Sequence, residues 1–231
     1  MVAEWARLNP KARILVAYGG REEVLAEVAW DEKVFISDPR LRTRDHQRER
    51  QSYLGIMRAV TAHAEAKGWA GGPVILAECD VVPLRAGLAD YLAERAATEG
   101  ADVLGARLRR VDGTGHPHVL AHEFHPRFQE WLAGSIREDK SVVLMMLGCL
   151  TWWSWEAFKA ISETAEPMPV YLELAMPTAA HQLGFRVRGL PEWEADMEPL
   201  GELEQELEAR RQAGRWVLHP CKKIWRQVGG V

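Results

Sequence analysis

Apolar residues along this chain alternate between two spacings. Short runs that are apolar at nearly every position predict strands: "RILVAYG" (13–19), "KVFISD" (33–38), "PVILAECDV" (73–81), "DVLGARLR" (102–109), "SVVLMML" (141–147) and "FRVRGL" (185–190), with "RWVLHP" (215–220) as a later candidate. Several are apolar on both faces, the pattern of parallel strands covered by helices on either side. Between them the spacing shifts to three and four. Over 45–68, Tyr53, Leu54, Met57, Val60 and Thr61 share one stripe, and Gly68 marks the helix end. Segment 84–100 ends likewise at Gly100, and 154–163 opens on Ser154, whose hydroxyl suits a helix N-terminus. A charged amphipathic helix is predicted over 200–214. This alternation predicts one α/β domain with a mainly parallel central sheet flanked by helices, and inserted loops near 110–140 and 191–199.

Composition adds constraints. With 231 residues, 47% hydrophobic and 27% charged, the chain is long enough to bury a core. A net charge of −4 provides no overall attraction to nucleic acid or anionic membrane. Cys79, Cys149 and Cys221 are few, odd in number and far apart, which argues against a disulfide framework or a zinc site built from cysteines. The N-terminal segment lacks the apolar core of a secretion signal. No apolar run approaches the roughly 20 residues of a membrane helix, so the expected compartment is the cytoplasm. Ten tryptophans suit either a large aromatic core or stacking on sugar rings.

In open parallel sheets, ligands bind beyond the carboxyl ends of the strands. The stretch "AYGGREEV" there is not a dinucleotide fingerprint, and no phosphate-binding P-loop exists. Glu78 and Asp80 flank Cys79 at the end of an apolar run, so strand alternation predicts both carboxylates on one side and Cys79 on the other. Such a pair suits Mg²⁺ or Mn²⁺; a helix cap or salt bridge is the plainer alternative. His219 offers an imidazole that can join two carboxylates at a cation, and Lys222 and Lys223 offer charge for a phosphate. A surface tail explains them equally simply. Glu173 precedes a Pro-Thr turn that is expected to open a helix ending at Gly184, where a carboxylate can serve as general base or as a cap.

Three clusters have two readings each. Arg40, Arg42, Arg44, Arg48 and Arg50 form either a solvated stretch or, through Arg44, a diphosphate clamp. His116, His118, His122 and His125 lie in a Gly- and Pro-containing segment that reads as a surface or acceptor-facing loop, or as a transition-metal site. Trp152, Trp153 and Trp155 are either core or, for one of them, the floor of a sugar site.

In chain order, "ILVAYGG", "ECDVVPL", "LGCLTWWSWEAF", "YLELAMPTAAHQLGF" and "WVLHPCKK" resemble the nucleotide-sugar glycosyltransferases of the GT-A type, small bacterial members close to family 2. The acidic motif reads ExD rather than DxD, and a single Glu173 stands where many inverting members carry a Glu-Asp pair. The resemblance implies a single Rossmann-like GT-A domain over 1–231, with a nucleotide-binding half near 1–110 and an acceptor-side half near 111–231. It implies Asp80 on the metal, Glu78 on the metal, its waters or the ribose, and His219 as a further ligand to Mn²⁺ or Mg²⁺. Lys222 and Arg44 then steady the donor diphosphate, and Tyr18, Gly19 and Asp38 lie near base and ribose. Glu173 is the base if the enzyme inverts, and Trp152 and Trp153 face the acceptor. The implied partners are a nucleotide-diphosphate sugar and a saccharide, glycolipid or small-molecule hydroxyl, with no nucleic acid. A sugar-nucleotide nucleotidyltransferase and a non-catalytic nucleotide- or carbohydrate-binding module are the rivals.

Overall fold

The computed structural model describes residues 2–42, 53–111, 126, 129, 130, 133, 142–164, 172–191, 193 and 203–221. In chain order these form α1 (Val2–Leu8), β1 (Val16–Tyr18), α2 (Glu22–Glu27), β2 (Lys33–Phe35), a 3-10 turn (Pro39–Arg42), α3 (Tyr53–Ala66), β3 (Val74–Ala77), β4 (Val82–Pro83), α4 (Leu88–Glu99), β5 (Val103–Gly105) and β6 (Arg109–Arg110). Then follow β7 (Leu144–Met145), β8 (Leu150–Trp153), α5 (Trp155–Ser162), α6 (Leu172–Gln182), β9 (Val187–Gly189), α7 (Leu203–Gln212) and β10 (Val217–Leu218). The class is mixed α/β, as the alternating spacings predict.

The central sheet has four strands in the order β3-β8-β5-β9. Strand β8 runs antiparallel to both of its neighbours, while β5 and β9 are parallel. Pairs β1–β2 (parallel), β4–β10 and β6–β7 (both antiparallel) stand beside it as two-stranded ladders. The expectation of a mainly parallel sheet is therefore corrected to a mixed one. The cause lies in what apolar runs report. Burial on both faces makes a strand apolar throughout whichever way it runs, so the pattern carries no direction.

Strand β8 shows this most clearly. All four of its residues are buried, and Trp152 and Trp153, adjacent in sequence, point to opposite faces. Trp153 packs with Val103, Val187, Met57 and Phe158 on the face covered by α3, α5 and α6. Trp152 packs with Leu104, Leu88, Leu92, Trp193 and Val217 on the face covered by α4. The sheet is thus a partition between two hydrophobic layers, which absorbs much of the tryptophan content.

Caps fall where side-chain chemistry requires them. Ser154 Oγ accepts from the Ala157 amide at 3.2 Å and starts α5. Gly87, with no side chain to offer, precedes α4, and Asn9 Oδ1 accepts from the Ala89 amide at 2.9 Å in its place. Gly100 ends α4 at φ +55, where the amides of Gly100 and Ala101 return to the carbonyls of Ala97 and Ala96. Gly68 does the same after α3 at φ +66. Helix α6 departs from expectation: it begins at Leu172 and carries Pro177 inside it. Proline has no amide to give the carbonyl four residues back, that of Glu173. The Met146 amide, just after β7, donates to that carbonyl at 2.9 Å instead. Thr178 Oγ1 adds two bonds to the backbone of Leu144, at 2.9 and 3.1 Å. A proline in mid-helix thereby lets α6 zip along the 144–146 backbone.

Removing the α5 cap in Ser154→Ala is expected to lower unfolding free energy by about 1 kcal/mol. Phe158→Ala, which deletes a fully buried ring set edge-on to Trp153 at 6.3 Å, is expected to cost about 3–5 kcal/mol. Denaturant titration of both variants checks the order; equal losses would contradict this view of the core.

Candidate metal centre at the sheet edge

Strand β3 ends at Ala77, so Glu78, Cys79 and Asp80 do not continue the strand as expected. They form a turn closed by the Val81 amide on the Glu78 carbonyl at 3.1 Å. A turn, rather than strand alternation, brings the two carboxylates to one place, while Cys79 stays exposed and Asp80 is buried. The chain then enters β4, which pairs with β10 so that Val82 faces Leu218 and Pro83 faces Val217. The Cys221 amide donates to the Asp80 carbonyl at 2.9 Å and extends this ladder past the strand ends. The result sets His219, whose bond to Pro220 is cis, beside Asp80, with Nε2 to Oδ1 at 3.5 Å.

Glu78, Asp80 and His219 each offer a ligand atom, and these atoms lie within 4.8 Å of one another. The sequence expectation that these three residues meet is thus realised. Glu78 Oε1 accepts from the Tyr53 hydroxyl at 2.9 Å, from the first residue of α3, which orients the carboxylate. Asp80 Oδ1 is buried and makes no hydrogen bond. A buried carboxylate oxygen without a donor is costly. Two carboxylates and one imidazole present the charge and the hard-oxygen and nitrogen ligands that Mn²⁺ accepts, so the residues fit such an ion.

A second set of contacts ties Glu173 to the same place. The Cys149 carbonyl accepts from the Glu78 amide at 2.8 Å, and the neighbouring Gly148 amide donates to Glu173 Oε1 at 3.2 Å. One bend of backbone between β7 and β8 therefore holds the backbone of Glu78 and the carboxylate of Glu173. Glu173 itself is 7% exposed. Burial pushes the Cys149 thiol far up, and the charges of Glu78, Glu173 and Asp80 push it further. Burial, with Asp80 next, pushes the Cys221 thiol up to about 12.

The remaining expected residues are dispersed. Tyr18 ends β1, and its ring lies against Gly20, while Gly19 abuts Leu41. Asp38 is held by Arg40 through contacts of 2.6–2.9 Å, and the Arg40 hydrogen bonds keep its carboxyl below the ordinary range. Trp152 and Trp153 are 7% and 0% exposed, so neither presents the open face that sugar stacking needs. Their acceptor-facing assignment is corrected to core, the outcome of β8 lying between two helical layers. Arg44, Arg48, Arg50, Lys222, Lys223 and the histidines at 116, 118, 122 and 125 lie outside the described residues. A recess of about 290 Å³ lined by His181, Phe185, Arg186 and Arg188 sits at the start of β9. Because β3, β5 and β9 run the same way, it is at the opposite end of the sheet from the cluster.

Tyr53, Gly148 and Cys149 escaped the sequence reading. In the sequence Tyr53 shows only as one of a helical stripe, and Gly148 interrupts the apolar run "SVVLMMLGCLTWW". That interruption, a glycine between two strand-forming stretches, was the available signal of a bend.

Thiol chemistry checks the burial. At pH 8 a disulfide reagent is expected to label one thiol per native chain, Cys79, and all three after denaturation. Rapid native labelling of Cys149 or Cys221 would contradict the geometry around the bend. Compared with protein-family models, curated proteins and solved structures, the chain gives no match in any of the three.

Proposed function

We propose that this protein is a divalent-metal-dependent glycosyltransferase of the GT-A type, moving a sugar from a nucleotide-diphosphate donor to an acceptor hydroxyl. The observation that carries the reading is the convergence of Glu78, Asp80 and His219 just past the carboxyl end of β3. Asp80, Glu78 and His219 would hold Mn²⁺ or Mg²⁺. When bound, such an ion acts as a Lewis acid that neutralises the charge growing on a diphosphate leaving group.

The chain's own residues have distinct tasks in this reading. Tyr53 orients the Glu78 carboxylate by donating to Oε1. Tyr18, Gly19 and Asp38, at and beyond the ends of β1 and β2, would contact the base and ribose of the donor. Arg40 keeps Asp38 ionised and so an acceptor for ribose hydroxyls. Helix α3, which packs against β1 and β2 and whose Tyr53 reaches Glu78, links that ladder to the acidic cluster. Glu173 is the base that takes the acceptor proton. Lys222 and Arg44, outside the described residues, would steady the donor diphosphate. Three free thiols suit a cytoplasmic setting, and no helix among the described residues is long and apolar enough to cross a membrane.

A non-catalytic nucleotide-binding module is the second reading, favoured by one observation. Glu173 is buried and spends Oε1 on the Gly148 amide, a bracing role that needs no turnover.

Release of nucleoside diphosphate from a panel of nucleotide sugars tests both. The glycosyltransferase reading expects Mn²⁺-dependent release with one preferred base, lost in chelator and reduced at least about 100-fold in Asp80→Ala. Glu173→Gln keeps an acceptor for Gly148 but no base, so kcat is expected to fall about 100-fold or more with nucleotide affinity unchanged. Undiminished release in chelator contradicts the metal role. Tight Mn²⁺-dependent nucleotide binding without release from any donor supports the module instead.

A further inference from the structure

The ladder formed by β5–β6 against β7–β8 is broken in its middle. Gly105 pairs with Thr151 and Arg109 with Met145, so the three residues 106–108 stand opposite the five residues 146–150. A single bond bridges the gap, from the Leu147 amide to the Ala106 carbonyl at 3.0 Å. The longer side is the bend whose Gly148 amide holds Glu173 and whose Cys149 carbonyl holds the Glu78 amide. The shorter side turns at Arg107.

Arg107 has φ +54, alone among the described non-glycine residues in taking a positive value. That backbone conformation is disfavoured for a side chain as large as arginine, and residues held in it cluster at functional sites. Glycine is the residue that usually takes a left-handed position, yet Arg107 takes it here. Its guanidinium has a second peculiarity. Arg107 is half-buried, and among the described residues it makes no hydrogen bond or ion pair. A partly desolvated cation without a partner is unfavourable. The carboxyl ends of β3 and β5 point the same way, so Arg107 and the Glu78–Asp80 turn share one edge of the sheet. Arg107 thus follows β5 at the edge where the Glu78–Asp80 turn follows β3, and among the described residues its guanidinium has no partner.

We propose that Arg107 is a diphosphate-binding residue of this site, its guanidinium carried by a strained turn at the sheet edge for the anion that the carboxylate-bound cation would also meet. The inference rests on the glycosyltransferase reading and deepens it. Neither lysine nor a neutral side chain provides the same fork: a guanidinium binds two phosphate oxygens at once with a fixed geometry. Strain at Arg107 and the lack of a partner among the described residues then have one explanation, since a partner would compete with the ligand.

The test is calorimetric titration of Mn²⁺, then of pyrophosphate and nucleoside diphosphates in its presence, into wild type, Arg107→Gly and Arg107→Asn. Glycine and asparagine both tolerate positive φ. The expected result is an unchanged or raised melting temperature, unchanged Mn²⁺ affinity, and at least a tenfold loss of affinity for pyrophosphate and nucleoside diphosphates. Affinity for the bare nucleoside is expected to be unchanged, which separates loss of the phosphate contact from a general disturbance. Wild-type pyrophosphate and nucleoside-diphosphate affinity in both variants overturns the role of Arg107 and leaves the metal reading standing. A lowered melting temperature in both variants also overturns it, by showing that the arginine holds the fold. Failure of the wild-type protein to bind Mn²⁺ or any diphosphate overturns the functional reading itself, and Arg107 with it.

Discussion

Three carboxylates surround one bend of backbone, and the arrangement of this molecule's sheet edge follows from how each charge is compensated. Glu173 accepts from the Gly148 amide, Glu78 from the Tyr53 hydroxyl, and Asp80 has only His219 Nε2 at 3.5 Å. Like charges brought together in a partly buried place raise one another's energy. Hydrogen bonds from the bend and from α3 offset part of that cost, and Asp80 Oδ1 is left with none. The incomplete compensation at Asp80 makes the cluster chemically informative, because a cation would complete it.

The scaffold that imposes this crowding is built from unrelated local devices. Pro177 withholds an amide and so frees the Glu173 carbonyl for Met146. The β4–β10 ladder fixes His219 opposite the acidic turn across a long sequence separation. The positive-φ turn at Arg107 lies opposite the longer bend that carries Gly148. Each device is locally unfavourable or neutral, and each is held by the two hydrophobic layers on either face of β8. Natural sequences accept such local conflict mainly where function requires it.

Much of this was legible beforehand. The helix stripes, the Ser154 cap and the glycine ends at 68 and 100 are local chemistry, and local chemistry is written in short segments. The meeting of Glu78, Asp80 and His219 was also expected, because strand ends and ligand types can be read in order. Strand direction was not legible: β8 is apolar throughout because it is covered on both sides, and that pattern is shared by parallel and antiparallel strands. The turn at 78–81 was misread as strand since Val81 and Val82 continue the apolar run. Trp152 and Trp153 looked equally suited to sugar and to core until their placement on opposite faces of one buried strand decided for the core. Arg107 and Tyr53 carry no local signal at all; their roles depend on contacts and on a backbone angle.

The central claim is that Glu78, Asp80 and His219 together hold one divalent cation. Titration of Mn²⁺ followed by electron paramagnetic resonance, which reads the free ion directly, tests it with no assumption about substrate. The account predicts that the wild-type chain removes one equivalent of Mn²⁺ from the free signal, that His219→Gln does so more weakly, and that Asp80→Asn does not. An unaltered free-ion signal with the wild-type protein, or wild-type binding by Asp80→Asn, would contradict it.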